Sequence, residues 1–200
     1  MAVAKSRGRR GGDPRTREAV VEVARAQFAQ RGYAKTTIRS VAAEAGVDPG
    51  LVMYFHGSKR ELFLAAVEMP FDSAAAVDAL AAGPRRTVGE RLIAFLLGVL
   101  DTEPARSVFL ARVRGAATEP EAAELVRELI TQEVVGPLVR RLGVDHPERR
   151  AALVSSQLFG WVVTRWLVEV EALAAMDRAD AVAALGPVLQ RYLVTPGAAG

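Results

Sequence analysis

Few side chains in this sequence are suited to covalent or metal chemistry. The 200 residues include two histidines and no cysteine, so cysteine nucleophiles, thiolate metal sites and disulfide bonds are excluded. His56 lies beside a turn and His146 in a loop, and neither has a partner at a spacing typical of a metal or catalytic site. Metalloprotease, nucleophile-elbow, phosphate-loop and dinucleotide-binding motifs are absent. The sequence therefore does not support an enzyme, a redox protein or a protein with a metal or other cofactor.

Basic side chains, in contrast, are concentrated at the start of the chain. Residues 1–60 contain 12 Lys and Arg against 5 Asp and Glu, whereas residues 61–200 contain 14 against 18. This asymmetry predicts that the first segment binds a polyanion and that the second has another role. A surface that serves only solubility is the alternative. Residues 1–12 have basic residues but no apolar stretch after them, so we interpret them as a disordered basic arm and not as a secretory signal.

The segment from Thr37 to His56 has the pattern of two short helices joined by a glycine-containing turn. Thr37 can cap the first helix, and Gly46 ends it where a left-handed residue is favoured. Asp48 and Pro49 then provide the N-cap and first position of the second helix. This pattern predicts a helix-turn-helix, whose second helix enters the major groove. Helical hairpins in proteins that never bind DNA look similar, so this alternative stays open at this point.

Basic residues flank this helix pair, as phosphate contacts usually flank a DNA-reading helix. Arg15 and Arg17 lie ahead of it, Arg39 lies near its start, and Lys59 follows it. These positions favour DNA as the polyanion. The competing class is a helical protein-interaction module whose basic arm only aids solubility. Steep salt dependence and preference for one DNA sequence would distinguish a DNA-binding protein from such a module.

Glycine and proline separate stretches of helical period, and no alternating run is long enough for a strand, so the predicted fold is all-α with about nine or ten helices. The first helix is predicted to run from Pro14 to Gly32. The fourth begins at Ser58, which forms a capping box with Glu61, and stops near Pro70. Further helices are predicted at about 72–82, 85–102, 104–117, 119–142, 147–175 and 178–193.

These elements predict three parts of the chain. Residues 1–12 are the arm, residues 13–68 a three-helix helix-turn-helix domain, and residues 69–195 a larger helical bundle. The longest strongly apolar run, Leu92–Leu100, is about half of the roughly 20 residues that a membrane span needs. We therefore expect no contact with a membrane. The absence of cysteine fits the cytoplasm, which is the expected location.

Residues 16–67 resemble the DNA-binding domain of TetR-family transcription regulators. The resemblance rests on the run TREAVVEVARAQFAQRGYAKTTIRSVAAEAGVDPGLVMYFHGSKRELFLAAV, with the pairs Gly32-Tyr33, Thr36-Thr37, Gly46-Val47 and Ser58-Lys59. The part that follows resembles the family's ligand-binding and dimerising domain more loosely. One departure concerns the third helix of the chain, which is the second helix of the helix-turn-helix. At its end, the order Tyr54, Phe55, His56 leaves open which of the last two side chains packs in the core.

The resemblance implies a role for eight residues at the DNA. Thr37 and Arg39 become phosphate or groove-edge contacts, and Tyr54 and Lys59 hold the DNA backbone. The base-facing part of the third helix is then Pro49, Gly50, Leu51 and Met53. Apolar side chains in the groove can contact thymine methyl groups but cannot pair bidentately with purine edges. For Met53 and Tyr54, packing within the protein is the alternative.

The resemblance also implies an effector cavity among the middle helices. The residues predicted to line it are Phe95, Val99, Phe109, Arg112, Trp161 and Arg165. Phe95 and Val99 lie on a helical stripe, so ordinary core packing is the alternative for them. An arginine on an apolar helix needs a carboxylate, a carbonyl or a ligand. For Arg165, Glu169 four residues later is a possible partner without a ligand.

A two-fold dimer is expected, because paired reading helices match a palindromic site. The last two helices are the predicted interface, since residues 151–170 are apolar nearly all round and include the small residues Ser155, Ser156 and Gly160. A helix buried within one subunit is the alternative. The resemblance thus implies a sequence-specific repressor that is released from a palindromic operator by an unknown small-molecule effector.

Overall fold

The structure, a computed structural model, describes residues 13–68, 71–118, 120, 123–124, 127 and 131–196. The chain forms eleven α-helices and no strand within these ranges. This confirms the predicted all-α fold, with a helix count slightly above the expected one. The arm at residues 1–12 lies outside the described residues. The helices are α1 (Pro14–Lys35), α2 (Ile38–Ala45), α3 (Pro49–His56), α4 (Lys59–Ala66), α5 (Ser73–Ala82), α6 (Val88–Leu100), α7 (Glu103–Thr118), α8 (Val135–Leu142), α9 (Pro147–Val162), α10 (Glu171–Ala174) and α11 (Arg178–Val194).

Helices α1 to α4 surround the first of two hydrophobic cores. Val20, Ala24 and Phe28 form a buried stripe on α1, because residues four apart lie on one face of a helix. Helix α7 from the second part of the chain closes this core. The other buried residues are Ala29, Tyr33, Val41, Ala42, Val52, Leu62, Phe63, Ala66, Val67, Ala105, Val108 and Ala111.

The predicted caps and turns position α2, α3 and α4. The side chain of Asp48 accepts a hydrogen bond from the backbone N–H of Gly50 at 2.7 Å and so caps α3. Gly46 has a φ of 67° and ends α2 in the left-handed region. The hydroxyl of Ser58 caps α4 by accepting from the N–H of Glu61 at 3.1 Å. Gly32, with a φ of 77°, interrupts α1 where its end was predicted.

Helices α5 to α11 form the second core. Helices α6 and α11 cross closely at Gly89 and Gly186, where a Cβ atom on Gly89 would lie 2.3 Å from the Gly186 carbonyl oxygen. Only glycine permits this approach of the two backbones. After Gly89, the buried side chains of α6 include Leu92, Ile93 and Leu97, which pack with residues from α5, α8, α9 and α11.

Two of the predicted helices are interrupted. The helix predicted at 119–142 lies mainly outside the described residues up to 130, and its described part bends at Glu133 and Val134 before α8 begins. Pro137 explains the bend, because in a continuous helix its ring would clash with the carbonyl of residue 133. In α8 it occupies the first turn, where it is tolerated.

The helix predicted at 147–175 ends at Val162 and is followed by a π-helical turn, Val163–Leu167. The chain then turns at Glu169, which has a φ of 56°, before the short helix α10. The hydroxyl of Thr164 donates to the Gly160 carbonyl at 2.7 Å, and such bonds to the preceding turn bend helices. The apolar pattern did not reveal this local competition.

Candidate DNA-binding surface and effector cavity

Helix α3 exposes the side that the sequence assigns to the DNA. Val52 and His56, four residues apart, point into the first core. On the other side, Met53 is 45% exposed and Tyr54 is 76% exposed, so packing within the described part of the chain does not account for either. Pro49 and Gly50 are exposed at the start of the helix, and Leu51 is half-buried. The five positions therefore form an accessible face on a short, capped helix.

The end of α3 shows which aromatic side chain packs. His56 is 6% exposed, whereas Phe55 is half-buried. The Nε2 atom of His56 is buried and has no hydrogen-bond partner among the described residues. Burial and the positive charge of Arg17 lower the pKa of His56 below its ordinary value of 6.5, against the opposing effect of Glu61. These effects together favour the neutral form of the imidazole.

The start of α2 presents Thr37 and Arg39 to solvent. Thr37 forms a reciprocal capping box with Ser40: its hydroxyl accepts from the Ser40 N–H at 3.0 Å, and the Ser40 hydroxyl accepts from the Thr37 N–H at 3.0 Å. The Thr37 O–H remains a donor suited to a phosphate oxygen. Arg39 is exposed and forms no ion pair within the described ranges.

Lys59 lies at the first position of α4 and contacts the end of α1. Its ammonium is 4.2 Å from the centre of the Tyr33 ring and donates to the carbonyl of Ala34 at 3.4 Å. These contacts hold the amine at the edge of the domain. A phosphate contact from Lys59 would therefore be made by an ammonium that is already positioned by α1.

A cavity of about 90 Å³ lies among α6, α7 and α9. Four of the six predicted pocket residues line it: Phe95, Val99, Phe109 and Arg112. The other six lining residues are not among those predicted; they are Phe71, Leu92, Leu96, Glu133, Val134 and Leu158. Phe71 packs against both hydrophobic cores, so this cavity lies where the two parts of the protein meet.

Arg112 connects the cavity wall to the end of α4. Its guanidinium donates from Nε to the backbone carbonyl of Val67 at 2.7 Å, and one terminal nitrogen donates to the same oxygen. The two terminal nitrogens also donate to the carboxylate of Glu133, at 2.8 and 2.7 Å. Arg112 thus has two of the three kinds of partner expected for it, a carbonyl and a carboxylate. Glu133 is 21 residues away in sequence, so no helical spacing could have indicated it.

Trp161 and Arg165 do not line this cavity. Arg165 lies 5.7 Å from the Trp161 ring centre and 5.1 Å from that of Trp166, and it donates to the carbonyl of Leu173. The possible pairing of Arg165 with Glu169 is not formed, because the chain turns at Glu169 and its carboxylate leaves the helical register. Arg165 contacts a backbone carbonyl and two aromatic rings instead.

One face of α9 carries small residues on the protein surface. Ala152, Ser156 and Gly160 are each four residues apart and exposed, and a Cβ atom on Gly160 would meet nothing within 4 Å. This face is therefore not buried within the described part of one chain. The groove along it is lined by Ala116, Ala123, Arg127, Ala152, Ser155, Ser156, Phe159 and Gly160.

Two kinds of site are absent from the described residues. These residues contain no group of three or more His, Cys, Asp or Glu side chains that could hold a metal ion. None of their helices is both long enough and apolar enough to span a membrane.

Family comparisons cover most of the chain. The family described as "Bacterial regulatory proteins, tetR family" matches residues 20–66, and the one described as "Tetracyclin repressor-like, C-terminal domain" matches residues 87–193. No match was found among the curated proteins.

Solved structures of the same fold include a TetR-family regulator from Streptomyces coelicolor A3. It is 34% identical, with a TM-score of 0.63 and coverage of 93% of this chain and 98% of that chain. The SmeT–triclosan complex is 21% identical with a TM-score of 0.67, covering 92% and 94% of the two chains. NalD, the secondary repressor of the MexAB-OprM multidrug efflux pump in Pseudomonas aeruginosa, is 21% identical with a TM-score of 0.64, covering 91% and 97%.

The two family matches lie on the two cores, and the first includes the exposed helix α3. Proteins of this kind are DNA-binding regulators and not enzymes. The chain belongs to the TetR family of bacterial transcriptional regulators.

Proposed function

We propose that this regulator is a cytoplasmic repressor that binds a palindromic operator as a homodimer and is released by a small molecule in the cavity beside Arg112. The observation that carries the proposal is the position of Arg112, which lines the cavity and also holds the carbonyl of Val67 at the end of the DNA-binding helices. Residues 13–68 are then the DNA-binding domain, and residues 69–195 bind the effector and dimerise.

The DNA contacts follow from which side chains are accessible. Arg39 and the Thr37 hydroxyl are placed to bind phosphates beside the groove, and Lys59 and Tyr54 to hold the backbone. Pro49, Gly50, Leu51 and Met53 then face the bases. Since none of these four side chains can hydrogen-bond bidentately to a purine, DNA shape and thymine methyl groups would provide the sequence preference.

The dimer interface proposed is the outer face of α9 and α11. The exposed small residues Ala152, Ser156 and Gly160 allow a second helix to approach closely, and Val188 on α11 is an exposed apolar residue. Operator binding requires a two-fold axis that brings the two copies of α3 to the same side of the dimer. Two such helices match half-sites about one turn of DNA apart.

The effector would act through the junction of the two cores. The cavity of about 90 Å³ is smaller than the ~150 Å³ apolar cavity that admits benzene, so a larger ligand must displace a wall. Arg112 and Phe71 belong to that wall and contact the DNA-binding part. SmeT in complex with triclosan and the efflux-pump repressor NalD support a ligand-responsive repressor. The effector lowers operator affinity only by its preference for the displaced state.

Binding to the DNA upstream of the protein's own coding region tests the operator proposal. We expect dimeric, sequence-specific binding that weakens steeply with salt. Arg39→Ala should weaken binding to all sequences by about tenfold and reduce the salt slope by about one. Met53→Ala should instead change the preference among thymine-containing sites. Arg140→Ala, an exposed arginine on α8, is the control. Salt-insensitive binding, or exchanged effects of the two variants, would contradict the proposal.

Operator release is tested with any small molecule that stabilises the protein against thermal unfolding. Occupancy of the cavity is verified with Val99→Phe, whose larger side chain fills the space and should abolish the stabilisation. A ligand that stabilises the wild type but not Val99→Phe should lower operator affinity, and the operator should lower ligand affinity by the same factor. Unchanged operator binding with an occupied cavity would contradict the effector role.

A further inference from the structure

We propose that the ligand of this cavity is a small molecule with an apolar body and one carboxylate, and that the carboxylate replaces Glu133 as the partner of Arg112. The inference rests on the effector role proposed above for the same cavity, and it names the class of molecule that the cavity selects.

The walls specify the apolar body. Apart from Arg112 and Glu133, every residue that lines the cavity is aliphatic or aromatic. The rings of Phe71 and Phe95 pack edge to face, with centres 5.2 Å apart and an interplanar angle of 88°, and Phe109 lies on the opposite helix. Such walls favour a compact apolar or aromatic group and leave no polar partner for a second charged group.

The Arg112–Glu133 pair specifies the charge. Two terminal nitrogens of the guanidinium face two carboxylate oxygens at 2.8 and 2.7 Å, the bidentate geometry in which arginine binds carboxylates in general. A ligand carboxylate would find the same pair of donors. The remaining donors of Arg112 that contact Val67 are not needed for this exchange.

The exposure of the two partners decides which one a charged ligand can replace. The side chain of Arg112 is 6% exposed and that of Glu133 is 21% exposed. An anionic ligand can displace Glu133, whose carboxylate can turn towards water while Arg112 stays paired. A cationic ligand would have to displace Arg112, which would break its bonds to Val67 and leave a buried arginine without a carboxylate. Exchange of the carboxylate is therefore the less costly event.

In this proposal, Glu133 is a built-in competitor of the ligand. It neutralises Arg112 when the cavity is empty, so that the free protein does not contain an unpaired buried charge. Displacement of Glu133 also removes a wall of the cavity, and this provides the room that a ligand larger than about 90 Å³ requires. A neutral ligand gains neither the charge-assisted hydrogen bonds nor this room.

Three probes with the same ring and different charges test the inference: benzoate, benzamide and benzylamine. Binding to the full chain is measured by calorimetry at one salt concentration. Charge-assisted hydrogen bonds to a buried arginine predict that benzoate binds about tenfold or more tightly than benzamide, and that benzylamine binds least. Equal binding of benzoate and benzamide, tighter binding of benzylamine, or no benzoate binding at millimolar concentration would overturn the inference.

Variants of the Arg112–Glu133 pair provide a second test of the inference. Glu133→Gln keeps the shape of the side chain and removes its charge, so benzoate affinity should rise about tenfold while benzamide affinity stays the same. Asp78→Asn removes an exposed carboxylate that pairs with Arg141 outside the cavity, and it should change neither. Arg112→Lys keeps the positive charge but loses the bidentate geometry, and should reduce the preference for benzoate. Unchanged benzoate affinity in Glu133→Gln would overturn the competitor role.

The failure of this inference is distinguishable from the failure of the effector role. If a neutral molecule occupies the cavity and releases the operator while benzoate does not bind, the effector role stands and the carboxylate inference is wrong. If benzoate binds as predicted but operator affinity is unchanged, the ligand class stands and the coupling to DNA is wrong.

Discussion

At the scale of single residues, His56 lies between the first hydrophobic core and a cleft lined by charged side chains. It is a buried titratable side chain beside a core of Val, Leu, Ala and aromatic residues. The cleft beside it brings charged groups from α1, from α4 and from the second residue after α4 close to the ring. These groups are Arg17, Glu18, Glu22, Arg25, Glu61 and Glu68.

The lowered pKa of His56 predicts a loss of stability in mild acid. The unfolded chain takes up a proton near the ordinary pKa of 6.5, whereas the folded state, with its lowered pKa, resists protonation. The stabilisation is therefore complete above 6.5 and is lost as the pH falls towards the lowered value, by at most about 1.4 kcal/mol per pH unit for one proton.

Urea unfolding at about pH 8 and about pH 5.5 measures this loss. We expect the wild type to lose more stability between the two conditions than His56→Phe, whose ring cannot take up a proton. The comparison of each protein with itself at the higher pH removes the packing effect of the larger ring. An equal loss in both proteins would show that His56 does not control acid stability in this range.

At the scale of helices, Arg150 connects α9 to the end of α11. Its side chain is fully buried and donates to the backbone carbonyls of Tyr192 at 2.6 Å and Thr195 at 2.9 Å. Its Nε also donates to the carboxylate of Asp145 at 2.8 Å. The carbonyls at the end of a helix have no partner within the helix, so Arg150 satisfies the last turn of α11 from the side.

Arg150→Met should therefore destabilise the protein by about 2–5 kcal/mol in urea unfolding, because it leaves buried carbonyls without donors. Arg141→Met is the matched control. Arg141 pairs with Asp78 on the surface, with side chains 64% and 65% exposed, and such pairs contribute at most about 1 kcal/mol. Similar losses in the two variants would contradict the role given to Arg150.

At the scale of the whole molecule, the two cores are joined by arginines on α7. Arg112 donates to the carbonyl of Val67, and Arg114 donates to the carbonyl of Ala29 at 2.6 Å. Both carbonyls belong to the DNA-binding part. A ligand that displaces α7 would therefore move α1, which is held at Ala29, together with the end of α4, which is held at Val67. This coupled movement is the physical basis of the proposed release.

The proposed dimer predicts that Gly160→Leu separates the subunits without unfolding them. In one chain a Cβ atom at Gly160 meets open space, so the substitution should leave the fold intact. A bulky side chain would keep a partner helix away, and sedimentation should show a dissociation constant raised by at least about tenfold. Operator affinity should fall with it, because a monomer contacts one half-site.

Ala82→Leu is the matched control, since Ala82 is an exposed small residue at the end of α5 and not on the α9 face. It should leave the dimer and the operator affinity unchanged. A Gly160→Leu protein that stays fully dimeric would show that the subunits associate through another face.

The sequence by itself determined the local elements. The caps at Asp48 and Ser58 and the left-handed Gly46 act within one helical turn, so α2 to α4 could be predicted from neighbouring residues. The accessible side of α3 followed for the same reason, because the helical period alone separates Val52 from its exposed neighbours. The all-α fold and the family were also evident from the sequence.

Only the tertiary structure decided which distant side chains meet. Glu133 pairs with Arg112 across 21 residues and Arg150 caps a helix 42 residues later, and no periodicity carries information over such separations. The breaks at Glu133 and Glu169 have local causes instead, in Pro137 and in the Thr164 hydroxyl, which the hydrophobic period does not register.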